Sequence, residues 1–235
     1  MPTPYKILVK YPSRGRVDRF FEALDACVNN IQDKSNYFIS LTLDTDDLVM
    51  NNEDVVKRIY EYENVEIAWG KSTSKVNAIN RTMPDIEWDI LVNLSDDQFF
   101  NIYGWDNIVR VEMETHFPDL DGYLHFKEKD SREALCVQTI CGREYYKRFN
   151  YIYHPAYKSL FCDNHQMIIA QMLKKYVYIP YELIVHKNPA YLEYGMERDE
   201  LFDIQQDIGY TVDHKTFLEF QSRNFDIHLF LNKQS

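Results

Sequence analysis

The sequence predicts an α/β protein with a mainly parallel central sheet, helices on both faces and a C-terminal helical extension. Three observations carry that prediction. Strand-length apolar runs alternate with helix-period segments four times within the first hundred residues, which is the rhythm of right-handed βαβ units. Each of those strands ends in a polar or acidic loop, and all four loops fall on one rim of the sheet. After residue 100 the rhythm breaks. The chain then closes on segments containing Leu201, Ile204, Ile208, Phe217 and Phe220, which read as helices packing back.

Taken in order, Tyr5–Tyr11 is a strand and Pro12–Arg16 a loop. Phe20, Leu24, Cys27 and Ile31 then repeat at spacings of four, three and four, the apolar face of a helix. Tyr37–Leu43 is the second strand, ending at Asp44–Asp47. Asn51 or Asn52 caps the next helix, whose first turn carries Glu53 and Asp54 and whose inward face is Val56, Ile59 and Tyr60. Val65–Trp69 is the third strand, Ser74–Arg81 a helix and Ile90–Leu94 the fourth strand. Beyond it, Gly104–His116 is a helix, Gly122–Phe126 and Ala134–Cys141 are strands, and Gly142–Phe149 is a short helix. Asp163–Lys174 is a helix, and Val177–Ile179 and Leu183–His186 are short strands. No Pro/Gly/Ser linker separates these elements, so a single domain over 1–235 is expected. It divides into a ligand-binding half over 1–100, a second half over 101–190 and the extension over 191–235.

Composition narrows the function. The formal charge of −11 over 235 residues disfavours broad electrostatic binding to nucleic acid, although Lys and Arg gather at Arg14–Arg19, Lys71–Arg81 and Arg143–Arg148. Cys27, Cys136, Cys141 and Cys162 lack zinc-type spacing and read as buried free thiols of a reducing compartment. Lys6, Lys10, Arg14 and Arg16 interrupt any leader-like run at the start, and no segment approaches the roughly 20 apolar residues of a membrane span. A soluble, cytoplasmic protein is the expectation.

The fourth strand delivers two adjacent carboxylates, Asp96 and Asp97. Neighbouring acids at the C-terminal end of a buried strand repel each other unless a cation or a hydrogen-bonding ligand compensates them. A hard divalent ion carrying the phosphates of a nucleotide would do so; a solvated turn that merely ends the strand is the plain alternative.

Four blocks together resemble the GT-A glycosyltransferases, in particular the family 2-like group that uses nucleotide-diphosphate sugars. They are Tyr11–Arg16, Leu43–Asp47, Lys71–Asn80 and Leu94–Gln98, and the resemblance spans about residues 5–190. It implies a GT-A (Rossmann-like) fold with the nucleotide-sugar in the first half and the acceptor in the second. By resemblance, Pro12, Ser13 and Arg14 line the nucleotide pocket and Asp44 accepts from base or ribose. Lys75 and Asn80 belong to the block that meets base and diphosphate. The triplet Ser95-Asp96-Asp97 is similar to a DxD-type motif lacking its first acid. Asp97 is then the metal ligand and Asp96 a contact to ribose or metal-bound water. His186, after the run Leu183–Val185, corresponds to a late histidine that completes the metal shell.

With few protein ligands, water and phosphate oxygens fill the rest of that shell, which suits Mn2+ or Mg2+. Asp163, at the start of a helix, matches the acid that takes a proton from the acceptor hydroxyl in inverting members; it reads equally as a helix cap. Tyr103, Trp105, Tyr153 and Tyr157 are candidates for a sugar platform, though buried aromatics of this kind mostly build cores. The activity implied is metal-dependent, inverting transfer of a sugar from a UDP-sugar to an acceptor hydroxyl on a glycan, a lipid-linked carrier or a small molecule. Nucleic acid is disfavoured as acceptor by the net charge. The alternatives are a glycosyltransferase acting on modified nucleic-acid bases, a non-catalytic nucleotide-sugar-binding protein and a nucleotidyltransferase.

Overall fold

The computed structural model describes residues 5–129, 133–189 and 196–231. Strand β1 (Ile7–Pro12) runs parallel to β2 (Tyr37–Asp44) on one side and to β4 (Ile90–Asn93) on the other, and β3 (Val65–Gly70) lies parallel outside β2. A two-residue strand, β5 (Gln98–Phe99), follows β4. Strands β6 (Tyr123–Lys127), β7 (Ile140–Gly142) and β8 (Tyr176–Glu182) complete a sheet that, among the described residues, has the order β3-β2-β1-β4-β7-β6-β8. Strand β7 is antiparallel to both β4 and β6, whereas β8 is parallel to β6. The short β9 (Val185–His186) pairs with β5 in a separate two-stranded sheet, with His186 opposite Gln98.

Both faces of β1 and β4 are apolar because both are covered. Ile7, Val9, Tyr11, Ile90 and Val92 pack into one hydrophobic cluster with helix α1 (Val17–Asn29), through Phe20, Leu24 and Cys27. Helices α2 (Glu53–Ile59) and α4 (Trp105–His116) join that side through Ile59, Val109 and Met113. The alternate residues Leu8 and Leu91 belong to a second cluster. There they meet α3 (Lys75–Asn80), α5 (Arg143–Lys147), α6 (Cys162–Met172) and the tail through Val76, Ile79, Tyr145, Ile169 and Phe220. In the tail, α7 (Glu200–Ile208) runs into a π-helical turn at Gly209–Asp213 and then α8 (His214–Ser222). Among the described residues, no helix is long and apolar enough to cross a membrane.

The caps follow the sequence. Asn52 accepts from Val55 N at the start of α2, and Ser74 accepts from Asn77 N at the start of α3. Three expectations need correction. On α2 the buried pair is Val55 and Ile59, while Tyr60 points outward with 59% exposure. Of the strand expected over Ala134–Cys141, only Ile140 and Cys141 enter the sheet. Residues 133–139 are irregular instead, with Cys136 Sγ donating to Gln138 O. Strand β5, absent from the sequence reading, is too short to show a period. All four cysteines are buried and free. The expected boundary between second half and extension, at 190–191, lies outside the described residues.

Candidate functional site

Strand order reverses between β2 and β4 on either side of β1, and open α/β sheets bind ligands beyond the strand ends at such a switch point. The loops after β1, β2 and β4 meet there. Ser13 Oγ lies 3.4 Å from Asp96 Oδ2. Arg14 donates at 2.9 Å to both Asp44 and Asp46. The loop turns through Gly15, whose φ of +69° suits glycine, and Gly15 N is held by Asp47 at 2.7 Å. Asp44 is buried and also accepts from Ser72 N at 2.9 Å, Ser72 Oγ at 2.6 Å and Arg81 at 3.3 Å. Pro12 is the last residue of β1 and leads into this loop.

The two adjacent acids are separated by their partners. Asp96 faces Arg16 at 3.1 Å. Its pKa is raised from the ordinary carboxylate value, because burial, with the Asp97 charge, outweighs Arg16. Asp97, only partly buried, faces His186 Nε2 at 3.4 Å. Burial pushes its pKa up, but the charge and hydrogen bond of His186, with Lys75 behind, hold it well below the carboxylate range. The β5–β9 pairing is what brings His186 here from ninety residues away, and Lys187 N donates to Asp97 O at 2.8 Å to fix the register. His186 Nδ1 lies 2.8 Å from Glu128. Burial lowers the His186 pKa, yet Asp97 and Glu128 together raise it to about 10.

Asp163 stands in the first turn of α6, half-buried, with Asn164 N donating to its Oδ1 at 2.9 Å. Burial raises its pKa from the ordinary carboxylate value against the nearby positive charges of Lys75 and His186. Asp163 makes no helix-cap bond; the N-cap position is Phe161. Lys75 is exposed at the start of α3, makes no ion pair among the described residues, and lowers the pKa of Asp96, Asp97 and Asp163 alike. The Lys75 charge thus acts on three carboxylates, two after β4 and one at the start of α6. Asn80 is differently engaged: its Oδ1 accepts from Ile152 N and Tyr153 N, and its Nδ2 donates to Tyr153 O, so it fastens the 150–157 loop.

Of the aromatic candidates, Trp105 is a core residue, fully buried, stacked on Phe100 at 3.9 Å and donating to Cys27 O. Tyr153 and Tyr157 are buried as well, and Tyr103 is exposed. Sequence reasoning missed Glu128, whose neighbours in the chain give no motif. It also missed Arg16 as the partner of Asp96, and Asp199, which grips Arg16 with two bonds of 2.7 Å. The adjacent run Arg14–Arg19 was the available signal for Arg16; nothing local marks Asp199.

Asp97 Oδ2 and His186 Nε2 lie 3.4 Å apart as an ion pair, a hard oxygen beside an imidazole nitrogen, and those donor types suit Mn2+. Among the described residues no group of three or more His, Cys, Asp or Glu has the spacing of a metal site. With only two such donors, any ion there would have to draw the rest of its shell from water and ligand oxygens.

No protein-family model matches the sequence, and no curated protein matches it. Solved structures do. The mannosyltransferase PcManGT from Pyrobaculum calidifontis, in complex with GDP-Man and Mn2+, aligns with a TM-score of 0.62 at 14% identity, over 80% of this chain and 59% of that one. This chain thus spans about three fifths of the mannosyltransferase. S. aureus TarS 1–349 in complex with UDP-GlcNAc aligns with a TM-score of 0.62 at 12% identity, over 94% of this chain and 73% of that one. Without that ligand, TarS 1–349 gives 0.60 at 12% identity, covering 94% and 78%. The chain has the GT-A fold.

Proposed function

We propose that this GT-A chain is a metal-dependent glycosyltransferase, moving a sugar from a nucleotide-diphosphate sugar to an acceptor hydroxyl with inversion. The observation that carries the reading is the convergence of Asp96, Asp97, His186, Lys75 and Asp163 at the C-terminal end of β4, at the switch point of the sheet. Titratable groups pushed apart in pKa within one cleft are what acid–base chemistry needs. GDP-Man and UDP-GlcNAc in the two similar structures support a nucleotide-sugar donor, and we take a UDP-sugar as the first candidate.

Pro12, Ser13 and Arg14 line the nucleotide side. Asp44 is already saturated by Ser72, Arg14 and Arg81, so its role toward a base or ribose runs through those donors. Lys75 lies where the diphosphate's negative charge would sit. Asp96 holds Ser13 and Arg16 toward the donor, and Asn80 keeps the 150–157 loop in place. Asp97 and His186 would hold Mn2+ or Mg2+, which when bound neutralises charge on the departing diphosphate. Asp163 takes the acceptor's hydroxyl proton. The acceptor oxygen then bonds to the anomeric carbon from the face opposite the leaving group, and the carbon–oxygen bond to the nucleoside diphosphate breaks. Burial raises the basicity of Asp163, which strengthens it for that task. A glycan, a lipid-linked carrier or a small molecule would serve as acceptor.

A thermal-shift screen of UDP-, GDP- and CMP-sugars with and without Mn2+ tests the donor, since stabilisation grows with ligand concentration over Kd. In the same assay Asp97→Ala should abolish the Mn2+-dependent part of the shift. Asp163→Asn should leave that shift intact and stop turnover. A metal-dependent shift that survives Asp97→Ala overturns the site, and binding without any turnover in the native chain leaves a sugar-nucleotide-binding protein.

A further inference from the structure

Asp213 is fully buried in the π-helical turn of the tail, and its carboxylate accepts three consecutive backbone N–H bonds. Lys158 N donates at 2.9 Å, Ser159 N at 2.6 Å and Leu160 N at 2.9 Å. A row of backbone donors around a carboxylate is a nest, a strong and geometrically specific arrangement. The segment so held leads straight into α6. Its next residue, Phe161, has φ of +60°, a left-handed conformation that a non-glycine residue keeps only where its surroundings impose it.

Those surroundings are again the tail. The Phe161 ring lies 5.1 Å from His214, 5.7 Å from Phe217 and 6.1 Å from Tyr210, centre to centre. Gly209 approaches so closely that a Cβ there would meet Leu160 Cδ1 at 2.3 Å. On its other side the segment touches α3, where Val76 N donates to Lys158 O at 3.1 Å, one residue from Lys75. Two residues past the strained Phe161 stands Asp163.

We infer that Asp213 is a positioning residue: from the C-terminal tail it fixes segment 158–162, and through it the place of Asp163 relative to Lys75. The inference rests on the reading of Asp163 as the base. A tail carboxylate clamped on three amides, with the tail's rings around Phe161, has the strained entrance to α6 determined from both ends. Releasing one end lets Phe161 relax to negative φ and swings the first turn of α6. Among the described residues, the hydrogen bonds of the Asp213 carboxylate go to 158–160 and none reaches the donor corner at Ser13, Asp44 and Asp96, so that corner keeps its geometry.

Amide hydrogen exchange on the full chain, read over 157–164, tests this beside UDP release from UDP-GlcNAc with Mn2+. Asp213→Asn puts an NH2 where an acceptor oxygen stood. It should speed exchange across 158–164 at least tenfold and slow UDP release at least tenfold, while the Kd for UDP with Mn2+ stays within twofold. A rate loss without an affinity loss is the mark of a displaced Asp163; general loosening moves both. Should Asp213→Asn fail to fold, Asp213→Ser, which keeps one acceptor oxygen, replaces it in both measurements. Unchanged exchange, faster exchange with unaltered turnover, or parallel loss of affinity and turnover each overturns the inference. If instead Asp163→Asn keeps turnover, the base assignment falls, and the positioning of the segment stands or falls on the exchange data alone.

Discussion

His186 is held from both ring nitrogens, by Asp97 at 3.4 Å and Glu128 at 2.8 Å. With its pKa raised to about 10, the ring carries a proton on both nitrogens. A metal entering at Nε2, as proposed, would displace the proton shared with Asp97 while Glu128 on Nδ1 holds the plane of the ring, and losing such a partner costs about 10- to 100-fold in metal affinity. Glu128→Ala should therefore weaken Mn2+ binding by about that factor, measured by calorimetry, with the secondary structure unchanged. An unaltered Mn2+ affinity would remove Glu128 from the site. Lys10, by contrast, acts on stability. It is fully buried, and its Nζ donates to Thr42 Oγ1 and the carbonyls of Arg81 and Thr82. Burial, and then the charge of Arg81, lower its pKa from 10.5 to about 8. Between those values the unfolded chain binds the extra proton, so stability rises with pH across that window, by at most about 3 kcal/mol. The difference in urea midpoint between pH 8 and 9.5 should shrink in Lys10→Met; an equal difference in both proteins would show that Lys10 contributes none of it.

At the scale of elements, α4 is fastened by a pair that its pattern conceals. Asp106 and Arg110 are both fully buried and form an ion pair one helical turn apart. Asp106 also accepts from Gln32 N at 2.8 Å and Asp33 N at 3.0 Å, and Arg110 donates to Tyr5 O and Asn36 O. Four groups from the start of β1 and the loop before β2 thus converge on one helix. Removing one partner leaves a buried charge uncompensated, which costs about 3–5 kcal/mol, whereas replacing both by apolar residues costs far less. Asp106→Ala should lose about that much in chemical denaturation. The double variant Asp106→Leu with Arg110→Met should recover part of it. Additive losses would mean that the two side chains act separately.

Across the whole molecule, what was legible in the sequence is what local periodicity can encode. The strands Ile7–Pro12, Tyr37–Asp44, Val65–Gly70 and Ile90–Asn93, with the helices between them, lie within a residue or two of the expected spans, because each carries its own apolar pattern. The contacts of Ser13 with Asp96 and of Arg14 with Asp44 followed from strand ends sharing one rim. Other features stayed hidden because non-local pairing creates them. Strand β7 has three residues and β5 two, and only the partners β4, β6 and β9 give them identity. Glu128, Asp199 and Asp213 act on residues 53 to 183 positions away, a distance at which spacing carries no signal.

The tail's attachment has one further consequence, which acid exposes. His165 is buried, its Nδ1 lies 2.9 Å from Tyr157 Oη, and its ring lies 5.2 Å from that of His154. Phe220 and Phe225 of the tail enclose it at 4.7 and 5.1 Å. Burial, and then His154, lower its pKa from 6.5 to about 3. His154, facing Asp226 and Arg223, is itself lowered by burial. Within that interval the unfolded chain takes up the proton and the folded chain does not, so stability falls as pH falls below 6.5. By pH 5 the loss from His165 alone approaches about 2 kcal/mol. Carboxylates such as Asp97 titrate in the same direction, so the native chain by itself cannot isolate the effect. His165→Gln, uncharged at every pH and still able to meet Tyr157, should lose less stability between pH 7 and 5 than the native chain, read as the change in urea midpoint. Identical acid sensitivity in the two proteins would place the response elsewhere, and the cluster that docks the tail would then be inert to protons.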